Sequence, residues 1–328
     1  MFSQSTLGFV VTNGDPTGLT RNTVTGADFQ YRDTTLFAGN TVQADLYYEE
    51  SFSNAVGNDN SFGAALNYPN EPWFGDFTLK QVGENFAPAL CFVNRPGVRL
   101  YDGTAGYRLR DHADVLRTFE VSSRQQIYTD LHGRLESRAS EFGSEILTAS
   151  DYDVQLQAIN SFEHLSKPFT LPRSVVVPVG DYTWTNLLAH VETSVAQPLS
   201  LIAELNCCSY YDGHNLQGHV QLNFRPNQFY ELQATYDPSF IRLPASKVDI
   251  HVLSLNAVLN FTPDMQIGAQ TQYDNISKSF GLLARYRWEF VPGSDILIAI
   301  GQSALIPGTD FKPQTTQASV RVTHTLRF

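Results

Sequence analysis

Hydrophobic and polar residues alternate along much of the chain, most regularly in its second half. Between residues 280 and 290 the even-numbered positions are apolar or aromatic, whereas Arg285, Arg287 and Glu289 occupy odd-numbered positions. The same alternation recurs in residues 199–208, 216–225, 253–261 and 265–274. A strand alternates in this way when one face is apolar and the other contacts water. The pattern therefore predicts a succession of β-strands, each about ten residues long.

The two faces of these strands differ from those of a soluble β-protein. Gln, Asn, Ser, Arg and Glu dominate the wet face, whereas a soluble sandwich or a small barrel fills its interior with apolar side chains. The apolar face ends in aromatic residues beside the short turns, as an interfacial girdle does: Trp288, Phe290, Phe261, Phe224 and Phe328. We therefore predict an all-β fold, a transmembrane antiparallel β-barrel of about 16–18 strands that occupies residues 1–328. A soluble β-sandwich lectin is the disfavoured alternative.

Segments rich in Pro, Gly, Asn and Asp separate the strands and differ in length on the two sides of the predicted barrel. Short turns are predicted near residues 292, 263, 226, 196, 151, 112 and 70, and longer links near residues 308, 275, 238, 212, 172, 133, 95, 54 and 16. Short periplasmic turns and longer extracellular loops are typical of outer-membrane barrels, so both termini are predicted to be periplasmic. The longest link, between Leu165 and Gly180, contains Ser174–Pro178, which we expect to pack as an extended segment on the barrel mouth.

The last nine residues, 320–328, alternate like a strand and end on an aromatic residue. This terminus resembles the closing strand of bacterial outer-membrane barrels, in which the final Phe belongs to the assembly signal. The resemblance implies that Leu326 and Phe328 are read by the barrel-assembly machinery and that the barrel lies in outer-membrane lipid. His324 departs from the pattern, because it falls on the apolar face.

Composition narrows the classes of protein that fit. The net charge of −11 and the pI near 5.1 argue against nucleic acid as a partner, because no basic stripe exists to neutralise phosphates. No apolar run approaches the roughly 18 residues that a membrane helix needs. The N-terminal residues lack the basic and apolar regions of a secretory signal. Since an outer-membrane protein must be exported, we expect this chain to be the C-terminal part of a larger protein.

Few residues form a pattern that indicates chemistry. No His-x-x-x-His, Cys-x-x-Cys or Gly-x-Ser-x-Gly spacing occurs, so we expect no metal site, no cofactor and no catalytic set. Asp212 and His214 at a loop tip are the one candidate acid and base, although Asp-Gly also forms an ordinary turn. The segment Asn13–Gly18 offers oxygen ligands for calcium, but a plain turn fits it better. Cys207 and Cys208 are adjacent, so on a strand they are expected to point to opposite faces and not to pair.

Five arginines fall on inward positions of the predicted barrel: Arg225, Arg285, Arg287, Arg321 and Arg327. They predict a basic lower lumen beneath acidic residues near the long links, which are Glu49, Glu50, Asp59, Asp237 and Asp310. The open alternative is that Glu289, Glu231 and Glu204 pair with these arginines and cancel their field.

Several short motifs resemble an uncharacterised bacterial outer-membrane β-barrel domain. They are Asn13–Gly18 with Gly26–Arg32, Gly83–Leu90 with Phe92–Arg95, Tyr210–Gly213 and Ala284–Trp288. In longer members this barrel follows a module similar to family-9 carbohydrate-binding domains, so the resemblance implies a truncated N-terminus and a possible glycan partner. The domain has no established activity. Three functions remain: a pore or transport-related barrel that handles glycans or small solutes, a non-conducting anchor for the missing module, and a barrel-rim hydrolase.

Overall fold

The computed structural model describes residues 4–35, 39–110, 114–171, 175–244 and 246–325. Twenty strands account for most of these residues. In chain order they are β1 Thr6–Asn13, β2 Asn22–Asp33, β3 Val42–Ser53, β4 Gly57–Tyr68, β5 Trp73–Val82, β6 Val98–Arg110, β7 Leu116–Asp130, β8 Leu135–Thr148, β9 Asp153–Leu165, β10 Phe169–Leu171, β11 Val175–Val177, β12 Gly180–Glu192, β13 Leu199–Tyr210, β14 Gly213–Asn227, β15 Tyr230–Leu243, β16 Ser246–Thr262, β17 Met265–Asp274, β18 Ser279–Val291, β19 Ser294–Leu305 and β20 Lys312–Thr323. Among the described residues, no helix has the length and apolar content needed to cross a bilayer.

Eighteen of these strands form one antiparallel sheet in which each strand pairs with its neighbour in sequence. The short hairpin β10–β11 interrupts this order, so β9 pairs directly with β12. Within the described ranges, β1 pairs only with β2 and β20 only with β19. The predicted all-β antiparallel architecture of about 16–18 strands is therefore confirmed, with β1 and β20 as the two outer edges of the sheet.

The register of the ladders assigns each side chain to one face of the sheet. Leu222 lies opposite Leu201 on one side and Ala234 on the other. Its neighbour Gln221 lies opposite Ile202 and Thr235. Directly opposed residues project from the same face of an antiparallel sheet, so apolar rows and largely polar rows alternate across the strands. We call these the outward face and the inner wall.

The outward face exposes large apolar side chains along the whole sheet. Phe9 is 77% exposed, Val320 is 68% exposed and Trp73 is 65% exposed. Aromatic residues predicted to flank the short turns are also exposed there: Phe224, Phe261, Trp288 and Phe290. Phe328, the fifth of that set, lies outside the described residues. So large an exposed apolar surface requires a nonaqueous partner, which a bilayer supplies to this face.

The links at the two ends of the strands differ in length, but only partly in the way that the sequence predicts. One end, here the turn end, has two-residue turns at 228–229, 263–264 and 292–293 and is the side on which β1 begins and β20 ends. The other, the long-link end, carries the two longest links, 83–97 and 166–179. The links at 54–56 and 211–212, predicted to be long, are short. The link at 34–41 on the turn end was not predicted, and the turn predicted near residue 112 lies outside the described residues.

Pro238 corrects another predicted link. It lies inside β15, which continues to Leu243, and the next strand begins at Ser246. Proline is uncommon within a ladder because it has no N–H to donate. Gly218 of the neighbouring strand has no side chain, and a Cβ there would lie 3.1 Å from the Pro238 ring. This space lets the strand continue through a residue that usually marks a turn.

Five buried apolar side chains form a cluster at the long-link end of the inner wall. Leu171, Val175 and Val177 from the hairpin β10–β11 pack against Ile241 and Val248 of the wall. Val177 and Val248 are fully buried. Within the segment predicted to lie extended on the barrel mouth, Val175–Val177 form the second strand of this hairpin, and Ser174 lies outside the described residues. Burying a valine stabilises this packing by about 1.5–3 kcal/mol per side chain.

Cys207 and Cys208 correct the prediction that they would not pair. They form a disulfide on β13. The alternation of side chains that motivated the prediction applies to a regular strand and does not hold at this pair. Cys91 is a free and exposed cysteine in the link 83–97.

Candidate functional site on the inner wall

A continuous row of polar and ionisable side chains crosses seven neighbouring strands of the inner wall. Each member lies directly opposite the next in the ladders of β6, β7, β8, β9, β12, β13 and β14. The row consists of Arg108, Glu120, Glu145, Gln155, His190, Glu204 and His219. We call it the ionisable row. The alternation of the strands explains it, because every member occupies the wet face of its own strand.

Contacts within the ionisable row leave an excess of carboxylates. Arg108 donates to Glu120 over 2.7 Å. His190 lies 3.6 Å from Glu204, and the side chain of His219 lies 2.6 Å from Asp237 of β15. Glu145 has no ion pair among the described residues. The row thus holds three glutamates, Glu120, Glu145 and Glu204, against one arginine.

Three of the predicted arginines lie together on β18 and β20. Arg287 and Arg321 both reach the carboxylate of Asp295, at 3.6 and 3.3 Å, and Arg287 also pairs with Glu289 at 2.8 Å. Arg285 makes no ion pair or side-chain hydrogen bond among the described residues. The three arginines line a concave region of about 420 Å³ on the inner wall. We call the three arginines together with Glu289 and Asp295 the arginine cluster.

Of the carboxylates named in the alternative, Glu289 pairs with Arg287, whereas Glu204 contacts His190 and Glu231 has no ion pair among the described residues. Asp295 supplies the second carboxylate and was not among the predicted residues. Its position opposite Glu289, on the wet face of β19, could have indicated it. Three arginines against two carboxylates leave one positive charge in the cluster.

The remaining predicted residues lie apart from this cluster. Arg225, near the turn end of β14, is exposed, and its backbone N–H donates to Pro198 over 2.7 Å. Its side chain has no ion pair within the described part of the chain. Arg327 and the assembly residues Leu326 and Phe328 lie outside the described residues. His324 follows β20, and its ring Nδ1 lies 2.9 Å from the Ser294 hydroxyl.

The acid and base considered for a barrel-rim hydrolase do not form a pair. Asp212 lies in the two-residue turn 211–212, whereas His214 belongs to β14 opposite Arg242. No hydrogen bond or ion pair joins Asp212 to His214 among the described residues. Among those residues there is also no cluster of three side chains that could hold a metal ion.

The link 14–21, considered for calcium, is organised by one carboxylate. Asp15 accepts hydrogen bonds from the backbone N–H and hydroxyl groups of Thr17 and Thr20. These donors, led by the Thr20 hydroxyl, hold the pKa of Asp15 well below its usual range. The carboxylate thus serves as the acceptor of a compact turn.

Known proteins resemble this chain in structure. No protein-family model and no curated protein sequence matches the chain. OmpF of Salmonella typhi, solved with daunomycin, is 12% identical over 82% of this chain and 88% of its own, with a TM-score of 0.41. The copper transporter OprC is 10% identical over 96% of this chain and 66% of its own, with a TM-score of 0.45. The siderophore receptor PirA of Acinetobacter baumannii is 6% identical over 96% of this chain and 73% of its own, with a TM-score of 0.35.

The strands of the chain itself show where it resides. An antiparallel sheet of 18 sequentially paired strands has an exposed apolar face, aromatic residues near one end and a polar inner wall. These features together are those of a transmembrane β-barrel. The chain therefore has the fold of an outer-membrane β-barrel and is located in the bacterial outer membrane.

Proposed function

We propose that this barrel conducts small polar solutes across the bacterial outer membrane. The observation that supports the proposal is the inner wall, where the ionisable row and the arginine cluster present charges to water. A barrel that served only as an anchor would gain nothing from Arg285, which has no ion pair among the described residues, on that wall, because charged groups without partners are costly unless solvated. A barrel of about 16–18 strands encloses an aqueous lumen.

The wall charges bear on which solutes pass. Carboxylates of the ionisable row lie on β7, β8 and β13, whereas the arginine cluster lies on β18–β20. The arginines alone would favour anions, as the sequence suggests, but the carboxylates oppose that preference. We therefore propose a pore for small polar solutes, including zwitterions, whose separated charges match the two parts of the wall.

A link to glycans is a finer proposal with a different support. It rests on the resemblance of motifs such as Gly83–Leu90 to a barrel domain that follows a family-9 carbohydrate-binding-like module. In such a protein the module would hold glycans, and the barrel-assembly machinery and outer-membrane lipid would be further partners. Finding a coding sequence for this module directly upstream would support the proposal, and a complete reading frame without it would remove the support.

Solute entry into liposomes tests the pore. The full-length protein, purified from outer membranes, is reconstituted, and swelling rates are measured with monosaccharides and with a zwitterionic amino acid. The proposal predicts swelling well above protein-free liposomes for both classes. Swelling no faster than in liposomes holding a heat-denatured sample would overturn it.

The anchor is the second candidate, and one observation favours it. The hairpin β10–β11 packs an apolar cluster onto the inner wall at the long-link end, which obstructs part of the lumen. If this obstruction is complete, the barrel holds its module at the membrane and passes nothing. The same liposomes decide, because an anchor gives no swelling with the smallest sugar.

A further inference from the structure

Two segments at the long-link end fold onto the inner wall instead of extending away from it. One is the hairpin β10–β11 within the link 166–179, and the other is the link 83–97. The remaining links at this end span eight residues or fewer. Both segments lie where a solute would enter the lumen, so their attachment to the wall decides whether they obstruct it permanently.

Apolar packing and hydrogen bonds fix the hairpin. Besides its buried valines, Phe169 contacts the ring of Tyr211 with centroids 6.4 Å apart. Tyr211 in turn donates its hydroxyl to Glu163 over 2.8 Å, and Tyr182 donates to the Pro178 carbonyl over 3.0 Å. A segment with fully buried side chains and satisfied polar groups does not swing freely, because opening would expose that apolar surface to water.

Polar side chains of the wall fix the first half of the link 83–97. The Asn22 amide donates to the Ala87 carbonyl over 2.7 Å, and its oxygen accepts from the Ala89 N–H over 3.0 Å. The Ala87 N–H donates to the Ser51 hydroxyl over 3.1 Å. Asn22 is 4% exposed and Ser51 is fully buried beneath the link. Buried polar groups of this kind are costly to leave unpaired, so the link stays on the wall.

The same link is held again at its second half. Arg95 donates to Glu136 over 2.7 Å and to the Ser137 hydroxyl over 2.9 Å, and its guanidinium lies 4.7 Å from the centre of the Tyr128 ring. Between these attachments, Phe92 is 88% exposed and Cys91 is exposed. The middle of the link therefore stands out from the wall while both of its halves are fixed.

The two segments are held by different parts of the sheet. Strands β2, β3, β7 and β8 hold the link 83–97, whereas β12, β15 and β16 hold the hairpin. We propose that the link 83–97 and the hairpin β10–β11 form a fixed size filter that narrows the lumen at the long-link end. The filter rests on the proposed pore. It admits small solutes past Cys91 and Phe92 and excludes larger ones.

Chemical modification of Cys91 tests the filter without a folding risk. A maleimide carrying a polyethylene glycol chain is coupled to Cys91 of the reconstituted full-length protein, and liposome swelling is measured with the sugar that enters fastest. Attachment at the filter should slow entry several-fold. The control carries Cys91→Ser and His132→Cys, which moves the thiol to the exposed link 131–134 at the same end, where attachment should leave entry unchanged.

A second pair of variants removes the segments themselves. Residues 86–95 or residues 167–178 are replaced by a short Gly-Ser linker, and swelling is compared over mono- to tetrasaccharides. The filter predicts that each variant admits larger sugars than the natural protein. Unchanged entry after modification of Cys91, together with an unchanged size limit in both variants, would overturn it.

The two proposals fail in distinguishable ways. If the natural protein swells liposomes and neither test changes the size limit, the filter is wrong and the pore stands. If only the shortened variants admit solutes, the segments do obstruct the lumen and the pore proposal fails. If no form admits any sugar, both proposals fail.

Discussion

Arg285 and Arg287 face the same side of β18 but differ in their surroundings. Arg287 pairs with Glu289 and shares Asp295 with Arg321, whereas Arg285 has no ion pair among the described residues. A charge with no partner contributes its full field to the water beside it, whereas a paired charge is largely cancelled. The two arginines therefore separate a role in the lumen from a role in holding β18 and β19 together.

Replacement of Arg285 tests the role in the lumen. Arg285→Ser should lower the anion-to-cation permeability ratio of the pore, because it removes a positive charge that pairs with no carboxylate in the described part of the chain. Reversal potentials across planar bilayers under a salt gradient measure this ratio. Arg99→Ser is the matched control, since Arg99 pairs with Gln81 on the outward face. An unchanged reversal potential for Arg285→Ser would show that the residue does not border the conducting path.

Glycines within strands differ in what surrounds them. A Cβ on Gly218 would lie 3.1 Å from the Pro238 ring, whereas a Cβ on Gly268 would have no neighbour within 4 Å. Gly218→Ala should therefore destabilise the protein relative to Gly268→Ala by about 1 kcal/mol, because the Pro238 ring must shift to admit the methyl group. Gly268→Ala should change stability little. Urea unfolding in lipid vesicles measures both, and equal midpoints would contradict the account of how β15 accommodates Pro238.

For single elements, the alternation of apolar and polar residues predicted the strands better than the segments rich in Pro, Gly, Asn and Asp predicted the links. Strands such as β17 and β18 were predictable because a wet lumen and an apolar membrane impose opposite preferences on neighbouring residues. The link at Pro238 was predicted wrongly, because the space that Gly218 provides is a long-range feature. The ion pairs of Asp295 were beyond the sequence for the same reason, since its partners Arg287 and Arg321 belong to two other strands.

The inward folding of the links 83–97 and 166–179 could not be predicted from the sequence either. The valines of β11 predict an extended segment, but their burial depends on Ile241 and Val248, which lie more than 60 residues away. The motif Gly83–Leu90 marks the link 83–97, yet its attachment needs Asn22 and Ser51 from other strands. Local patterns thus predict which residues form a strand or a turn, and the tertiary contacts decide where a link lies.

The turn of Asp15 leads to a prediction about pH. Hydrogen bonds lower the pKa of Asp15 in the folded protein, so the unfolded chain binds a proton at a higher pH than the folded chain does. The stabilisation is therefore complete above the unfolded pKa, near 3.9, and is lost only as the pH falls through the lower folded pKa. Hydrogen exchange should show equal protection of the Thr17 and Thr20 amides at pH 7 and pH 5. Asp15→Asn should lower that protection at both values.

Over the whole molecule, β1 and β20 are the edges that remain to be paired. All residues of β20 are exposed, and a lipid-exposed strand edge is not tolerated in a bilayer. The two edge strands run in opposite directions, as the outer strands of an even-stranded antiparallel meander do. They can pair with each other, or with an even number of further strands placed between them, without reversing any strand.

Assembly provides a whole-molecule prediction for the C-terminus. Deleting Phe328 from the exported full-length protein should reduce its insertion, because the resemblance makes the final aromatic residue part of the assembly signal. Outer-membrane fractions and heat-modifiable migration in gels measure insertion. Phe328→Trp, which keeps an aromatic residue at the last position, is the control. Normal insertion without Phe328 would contradict the prediction.

The central claim is that the polar face encloses water and the apolar face contacts lipid. Single cysteines at Gln221, Gln270, Leu222 and Ala284, in a background with the native cysteines replaced by serine, report on both faces after treatment of intact cells with a small membrane-impermeant thiol reagent. We expect labelling of the cysteines at positions 221 and 270 and no labelling of those at positions 222 and 284. Labelling at 222 and 284 with protection at 221 and 270 would contradict it.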